Sequence, residues 1–116
     1  MQHIQLGIQG EDAVAHYLYR NGFTIVARNY RQRYGEIDVI ACKNNVLVFV
    51  EVKTRSSSYM DPAEVITPTK QRKIIMTAHA FLSEYHYTDM VCQFDVALVD
   101  KNNNIQYIPH AFNEGY

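Results

Sequence analysis

Gly35-Glu36-Ile37-Asp38-Val39-Ile40-Ala41-Cys42-Lys43-Asn44-Asn45-Val46-Leu47-Val48-Phe49-Val50-Glu51-Val52-Lys53-Thr54 is the stretch on which the fold turns. It is rich in β-branched and aromatic residues, and it breaks once, at Lys43-Asn44-Asn45. The pattern predicts strands over Glu36–Cys42 and Val46–Thr54. Asn tolerates positive φ, so Asn44-Asn45 is expected to form a two-residue type I′ hairpin turn. Side chains alternate along a strand, which places Glu36, Asp38 and Ile40 on one face. On the second strand Leu47, Phe49, Glu51 and Lys53 share a face, while Val46, Val48, Val50 and Val52 share the other, expected to be the core face. With Asn44 and Asn45 as the loop, Lys43 pairs with Val46, Asp38 lies opposite Glu51, and Glu36 lies opposite Lys53.

Two carboxylates facing each other across a ladder repel, and like-charge pairs of this kind destabilise a sheet. A shared proton, a neighbouring cation or a bound metal would relieve the repulsion. Mg²⁺ takes oxygen ligands and commonly uses one or two protein carboxylates, the rest being waters and substrate phosphate. Lys53, two residues beyond Glu51, would put an ammonium beside such a centre, where it can orient a water or stabilise phosphate charge. Glu36 is expected to hold Lys53 through a salt bridge. The plainer alternative is a surface hairpin in which Lys53 merely bridges Glu51 and Asp38.

Working outward, Gln9–Asn21 reads as a first helix, with Val14, Tyr17 and Leu18 on its apolar face and Gly22 as its stop. Phe23–Tyr30 reads as a first strand. Arg55–Glu64, with Ser56-Ser57-Ser58, is expected to be the most mobile loop. Thr67 as N-cap and Pro68 in the first turn open a second helix running to about Tyr85, with Ile74, Ile75, Ala78, Phe81 and Leu82 inward. Val91–Val99 and Ile105–Ile108 complete the strands around a polar turn at Asp100–Asn104. The order α-β-β-β-α-β-β predicts an α/β fold with a mixed sheet flanked by helices.

The 116 residues fit one domain over 1–116, and 47% hydrophobic content with 20% charged is that of a globular chain. A net charge of -1, from 11 Lys+Arg and 12 Asp+Glu, argues against a non-specific polyanion binder. It leaves open a local charge pattern suited to DNA. Cys42 and Cys92 are too few for a disulfide framework or a zinc knuckle and are read as small buried thiols. His3, His16, His79, His86 and His110 lack metal-ligand spacing. Met1–Leu6 has no basic-then-apolar signal, and no apolar run approaches the roughly 20 residues of a membrane span. A cytoplasmic protein with no membrane association is expected.

Asp38…Glu51-Val52-Lys53 resembles the catalytic signature of the PD-(D/E)xK nuclease superfamily. The longer strings Gly35–Ala41 and Val48–Arg55 resemble the small bacterial YraN-like proteins, which are related to archaeal-type Holliday-junction resolvases. Gly10-Glu11 with Ala13 and Leu18, then Gly22 and Arg28-Asn29-Tyr30, is similar to the N-terminal part of that family. Lys70-Gln71-Arg72-Lys73-Ile74 is similar to its second helix, and Phe94-Asp95-Val96 to its later strand. Gln93 stands where an Arg is common, and Tyr59-Met60-Asp61-Pro62 replaces a usual Phe-Gly pair.

The resemblance implies a restriction-endonuclease-like fold, with Asp38 and Glu51 as metal ligands and Lys53 as the catalytic lysine. It also implies Glu11 as a further ligand or water-positioning group, and the Val52 carbonyl as completing the shell of Mg²⁺ or Mn²⁺. Glu11 reads equally as a solvated carboxylate at a helix start. Arg28, Arg31, Arg33, Arg55, Lys70 and Gln71 are candidates for nucleic-acid contact. Tyr30, Tyr34, Arg72 and Lys73 would extend them into a basic rim that can grip phosphates and stack on bases. A solvated edge and an exposed helix end are the plain alternatives for these groups. The expected function is a metal-dependent endonuclease-like phosphodiesterase acting on DNA, including branched or structured DNA. A homodimer would suit a two-fold substrate, as in related resolvases. The competing readings are a non-cleaving DNA- or protein-binding module, and a hairpin that serves as an oligomer contact.

Overall fold

The computed structural model describes residues 2–55 and 66–114. Its elements are α1 (Gln2–Arg20), β1 (Thr24–Gln32), β2 (Gly35–Lys43), β3 (Val46–Thr54), α2 (Pro68–Glu84), β4 (Val91–Val99) and β5 (Ile105–Phe112). The order expected from the sequence is the order found. The loop expected over Arg55–Glu64 lies, apart from Arg55, outside the described residues.

The five strands form one sheet in the order β1-β2-β3-β4-β5. Neighbours are antiparallel except β3 and β4, which run parallel. A parallel pair needs a crossover rather than a tight turn, and α2 lies in the connection that supplies it. The β2–β3 register is the expected one, from Lys43–Val46 to Val39–Val50. The turn differs in detail. Asn44 takes a left-handed φ of 55°, but Asn45 is not among the positive-φ residues. The type I′ form, which needs positive φ at both central positions, is therefore not adopted.

Both faces of the sheet are core, which corrects the expectation that only the valine face would be. Leu47 and Phe49 pack with Ile37, Ile40, Phe94, Val96 and Leu98 against Ile74, Ala78 and Phe81 of α2. Val48 and Val50 pack with Val39, Ala41, Ala97 and Val99 against Val14 and Leu18 of α1. A central strand with a parallel neighbour is covered on both sides, so its sequence reads as a near-continuous apolar run rather than an alternation. Phe49 and Phe81 anchor the α2 side, with rings 6.3 Å apart and nearly perpendicular. Burying such a side chain contributes about 1.5–3 kcal/mol.

Helix boundaries also carry physical reasons. α1 begins at Gln2 rather than Gln9, because Gly inside a helix costs only about 1 kcal/mol relative to Ala and does not stop it. It ends at Arg20, one residue before the expected Asn21, but Gly22 is the expected stop: it has φ 92°, and the Gly22 and Phe23 amides donate to the Tyr19 and Leu18 carbonyls. That pattern satisfies carbonyls the helix would otherwise leave open. α2 starts with the Thr67 hydroxyl accepting from the Lys70 amide at 3.2 Å. β1 is shifted from Phe23–Tyr30 to Thr24–Gln32. β5 runs to Phe112 rather than Ile108, since an edge strand tolerates Pro109. Cys42 and Cys92 are half-buried free thiols rather than fully buried ones.

Gly35 sets the approach of the β1–β2 turn to α2. A Cβ there would lie 2.7 Å from Thr77 Oγ1 and 3.1 Å from the Lys73 carbonyl oxygen. Only a residue without a side chain allows the strand bearing Asp38 to start so close to the helix bearing Lys70.

Candidate active site

The hydrogen-bonded β2–β3 ladder stops at Val39–Val50. One step further on, Asp38 turns its carboxylate to the backbone, accepting the Val52 amide at 2.8 Å. Asp38 and Glu51 are each only 9% exposed. They lie at the end of the sheet beneath the first turn of α2, from which the Lys70 ammonium reaches Glu51 Oε1 at 2.9 Å. Burial, and next the Glu51 charge, push the Asp38 carboxyl up to about 7; the Val52 amide opposes this, and Glu11 and Glu36 add to it. Three other acidic side chains thus add to the cost of charging Asp38.

Glu11 approaches from α1, its side chain 22% exposed and its Oε1 3.9 Å from an Arg28 nitrogen. Its pKa is raised chiefly by burial; a hydrogen bond from Asn29 and the Arg28 charge ease that, and Glu36 and Asp12 reinforce it. Asn29 holds a left-handed φ of 52° within β1, a conformation Asn accepts more readily than most residues. Burial alone would lower the Lys70 ammonium. Its hydrogen bond to Glu51 and the charges of Glu51, Asp38 and Glu36 outweigh that, leaving its pKa above the usual value.

Lys53, two residues beyond Glu51 on β3, is half-buried and makes no ion pair with any described residue. The expected Glu36–Lys53 bridge is absent. Glu36 instead accepts from both Arg31 Nε at 2.7 Å and the terminal Arg31 nitrogen at 2.6 Å. The cause is the end of the ladder: past Val39 the strands no longer hold cross-strand partners at pairing distance. Nor does Lys53 bridge Asp38 and Glu51, since the cation on Glu51 is Lys70.

The candidate nucleic-acid residues divide into groups. Arg28 pairs with Asp12 at 2.7 Å and Arg31 with Glu36, while their side chains stay 36% and 75% exposed. Arg33 is exposed on the β1–β2 turn. Arg55 caps the end of the sheet, its amide donating to the Val99 carbonyl and its guanidinium to Gln106 at 2.7 Å. Gln71 turns back to the Ile66 carbonyl at 3.1 Å. Lys70 and Lys73 line a cleft of about 250 Å³ with Gly35, Glu36, Thr67, Thr69 and Ile74.

Among the described residues no three His, Cys, Asp or Glu side chains stand together as a metal-holding group. The fit to a hard divalent cation therefore rests on two carboxylates, Asp38 and Glu51. That is the number Mg²⁺ commonly takes from a protein, with water and phosphate oxygens completing its shell. Asp38, whose carboxyl is pushed up by burial and then by the Glu51 charge, is a group whose ionised form a cation would favour.

A family model described as uncharacterised protein family UPF0102 matches residues 10–99. The chain belongs to that family. A UPF0102 protein of Prosthecochloris aestuarii is 48% identical over 95 residues, covering 81% of this chain and 75% of the relative. One from Desulforapulum autotrophicum is 46% identical over 112 residues, covering 93% of each. Among solved structures the fold is similar to Archaeoglobus fulgidus Hjc, a Holliday junction resolvase from an archaeal hyperthermophile. The TM-score is 0.52 at 17% identity, over 89% of this chain and 71% of the other. The likeness to the resolvase is one of fold, and it agrees with the α-β-β-β-α-β-β order expected from the sequence.

This UPF0102 chain contains one polar centre that sequence reasoning gave no role. Asp95, 1% exposed, accepts from the Tyr107 hydroxyl, from Gln93 Nε2 at 3.0 Å and from the His110 amide at 3.0 Å. It plugs the irregularity in the β4–β5 ladder, where His110 takes φ 52°. Burial, followed by the bond to Asp95, raises the Tyr107 hydroxyl far above its usual range. The available signal was a carboxylate inside the apolar run Val91–Val99. A buried charge of that kind requires donors from elsewhere in the fold.

Proposed function

We propose that this protein is a metal-dependent endonuclease-like phosphodiesterase acting on DNA, with branched or structured DNA as its substrate class. The observation that carries the reading is the pair of buried carboxylates, Asp38 and Glu51, at the open end of the β2–β3 hairpin, with Lys53 two residues beyond Glu51 on the same strand. A fold with no chemistry to perform gains nothing from two nearly buried, mutually repelling acids. The similarity of fold to a Holliday junction resolvase supports DNA as the substrate.

In this reading Asp38 and Glu51 hold Mg²⁺ or Mn²⁺, with the Val52 carbonyl as a further oxygen donor and Glu11 as a water-positioning group. The cation, when bound, supplies Lewis acidity and neutralises phosphate charge. Lys53, not engaged by a described anion, orients the attacking water and faces the charge that develops on the phosphate. Arg28, Arg31, Arg33, Arg55, Lys70 and Gln71 form the side toward which the DNA backbone approaches. Substituting Asp38→Ala or Lys53→Ala in the purified protein is expected to abolish cleavage of labelled DNA without loss of folded structure. Retained cleavage in either variant contradicts the mechanism.

One observation favours a second reading, a DNA- or protein-binding module that does not cut: Lys70 already neutralises Glu51. Metal binding without turnover on any DNA would support it.

A further inference from the structure

Glu51 has little access to water, and the cation on it comes from another element: Lys70 Nζ stands 2.9 Å from its Oε1. The backbone that carries Lys70 is fixed. Its amide donates to the Thr67 hydroxyl at 3.2 Å, and the next residue, Gln71, is tied to the Ile66 carbonyl at 3.1 Å. The side chain itself is 45% exposed, so rotating its flexible stem away exposes little new surface. The same residue lines a cleft of about 250 Å³ with Thr67, Thr69, Lys73 and Glu36, whose carboxylate is held by Arg31. Lys70 therefore has two places to put its charge, one on Glu51 and one in the cleft. Arg28 and Arg31 are held on Asp12 and Glu36, and of the described cations only Lys70 makes an ion pair with Glu51.

An ammonium at hydrogen-bond distance on a carboxylate competes with a hard dication on the same group, since the two cations repel across a few ångströms and draw on the same negative charge. We infer that Lys70 is an exchangeable counter-ion. It neutralises Glu51 while the site holds no cation, and yields Glu51 when a divalent cation enters. Its released ammonium turns into the cleft at the start of α2, where a phosphate oxygen of the substrate accepts it. Loading of the cation and capture of the substrate phosphate are thereby coupled through one side chain, and Lys70 acts as a positioning residue. The inference rests on Glu51 being a ligand of the cation, and adds that an internal cation competes with it.

The test is calorimetric titration of Mn²⁺ into the full chain at fixed ionic strength and pH. It compares wild type, Lys70→Met, Lys70→Arg and Asp38→Asn, all checked for folding by circular dichroism. Lys70→Met removes the competitor and is expected to bind Mn²⁺ roughly tenfold more tightly, the scale of one charge-assisted hydrogen bond. Lys70→Arg keeps a charge on Glu51 and is expected to bind no more tightly than wild type. Equal or weaker binding by Lys70→Met, with Asp38→Asn still abolishing it, overturns the counter-ion role and leaves the metal reading standing. Binding that Asp38→Asn does not affect overturns both. A merely structural Lys70 would lower the melting temperature on substitution without tightening Mn²⁺ binding.

Discussion

Replacing Asp38 by Asn removes a charge while keeping an oxygen that accepts the Val52 amide, so it isolates the electrostatic cost of the site. In the folded chain the Asp38 carboxyl titrates at about 7 against an ordinary value of 3.8. The folded state therefore retains this proton where the unfolded chain has lost it. Stability falls with rising pH wherever the native state binds more protons. The contribution is thus fully present below pH 3.8 and is lost as pH rises through about 7. Roughly three pH units, at about 1.4 kcal/mol each, give a ceiling of about 4 kcal/mol. Water reaching the partly open end of the site reduces it toward about 2 kcal/mol. Urea unfolding followed by circular dichroism, in EDTA at pH 4 to 8, measures this directly. The wild type is expected to lose stability across that window relative to Asp38→Asn, and Mg²⁺ should restore it in the wild type alone. Parallel pH profiles for the two proteins would refute the reasoning.

Gly35→Ala is expected to destabilise by about 1–3 kcal/mol, read as a lowered urea midpoint, because the new Cβ meets the Lys73 carbonyl and the Thr77 hydroxyl. Asp95→Ala is expected to cost about 3 kcal/mol or more, since it strands the Tyr107 hydroxyl and the His110 amide. Asp95→Asn retains acceptor capacity and should cost less in the same unfolding measurement. Lys53→Met should leave the melting temperature within about a degree of wild type, because no described residue pairs with Lys53. A large drop would assign that side chain a structural role.

The hairpin was the most legible part of the molecule. β3 spans Val46–Thr54 in both the sequence pattern and the fold, because a period of two and an Asn-Asn turn fix register over short range. That register also carried Asp38 and Glu51 to the same end of the sheet. What failed was extrapolation past the last hydrogen-bonded pair. Glu36 and Lys53 sit past the last hydrogen-bonded pair, and Arg31, five residues from Glu36 on the neighbouring strand β1, took the carboxylate instead. The Lys70–Glu51 pair was invisible for another reason. It joins residues 19 positions apart on different elements, and nothing local records which face of α2 meets the strand ends. Asp95 was hidden in the same way, since its donors Tyr107 and His110 lie 12 and 15 residues further along. The first-turn placement of Lys70 could be read from Thr67-Pro68, but the identity of its partner could not.

The central claim is that Asp38, Glu51 and Lys53 form a cation-dependent centre for breaking phosphodiester bonds. Its most direct test is incubation of wild type and Lys53→Ala with labelled duplex, single-stranded, flap and four-way-junction DNA, in Mg²⁺, Mn²⁺ or EDTA. The account predicts cleavage of at least one branched substrate by the wild type with either cation, none in EDTA, and none by Lys53→Ala. Cleavage that persists in EDTA or in the variant, or no cleavage of any substrate by the wild type, would contradict it.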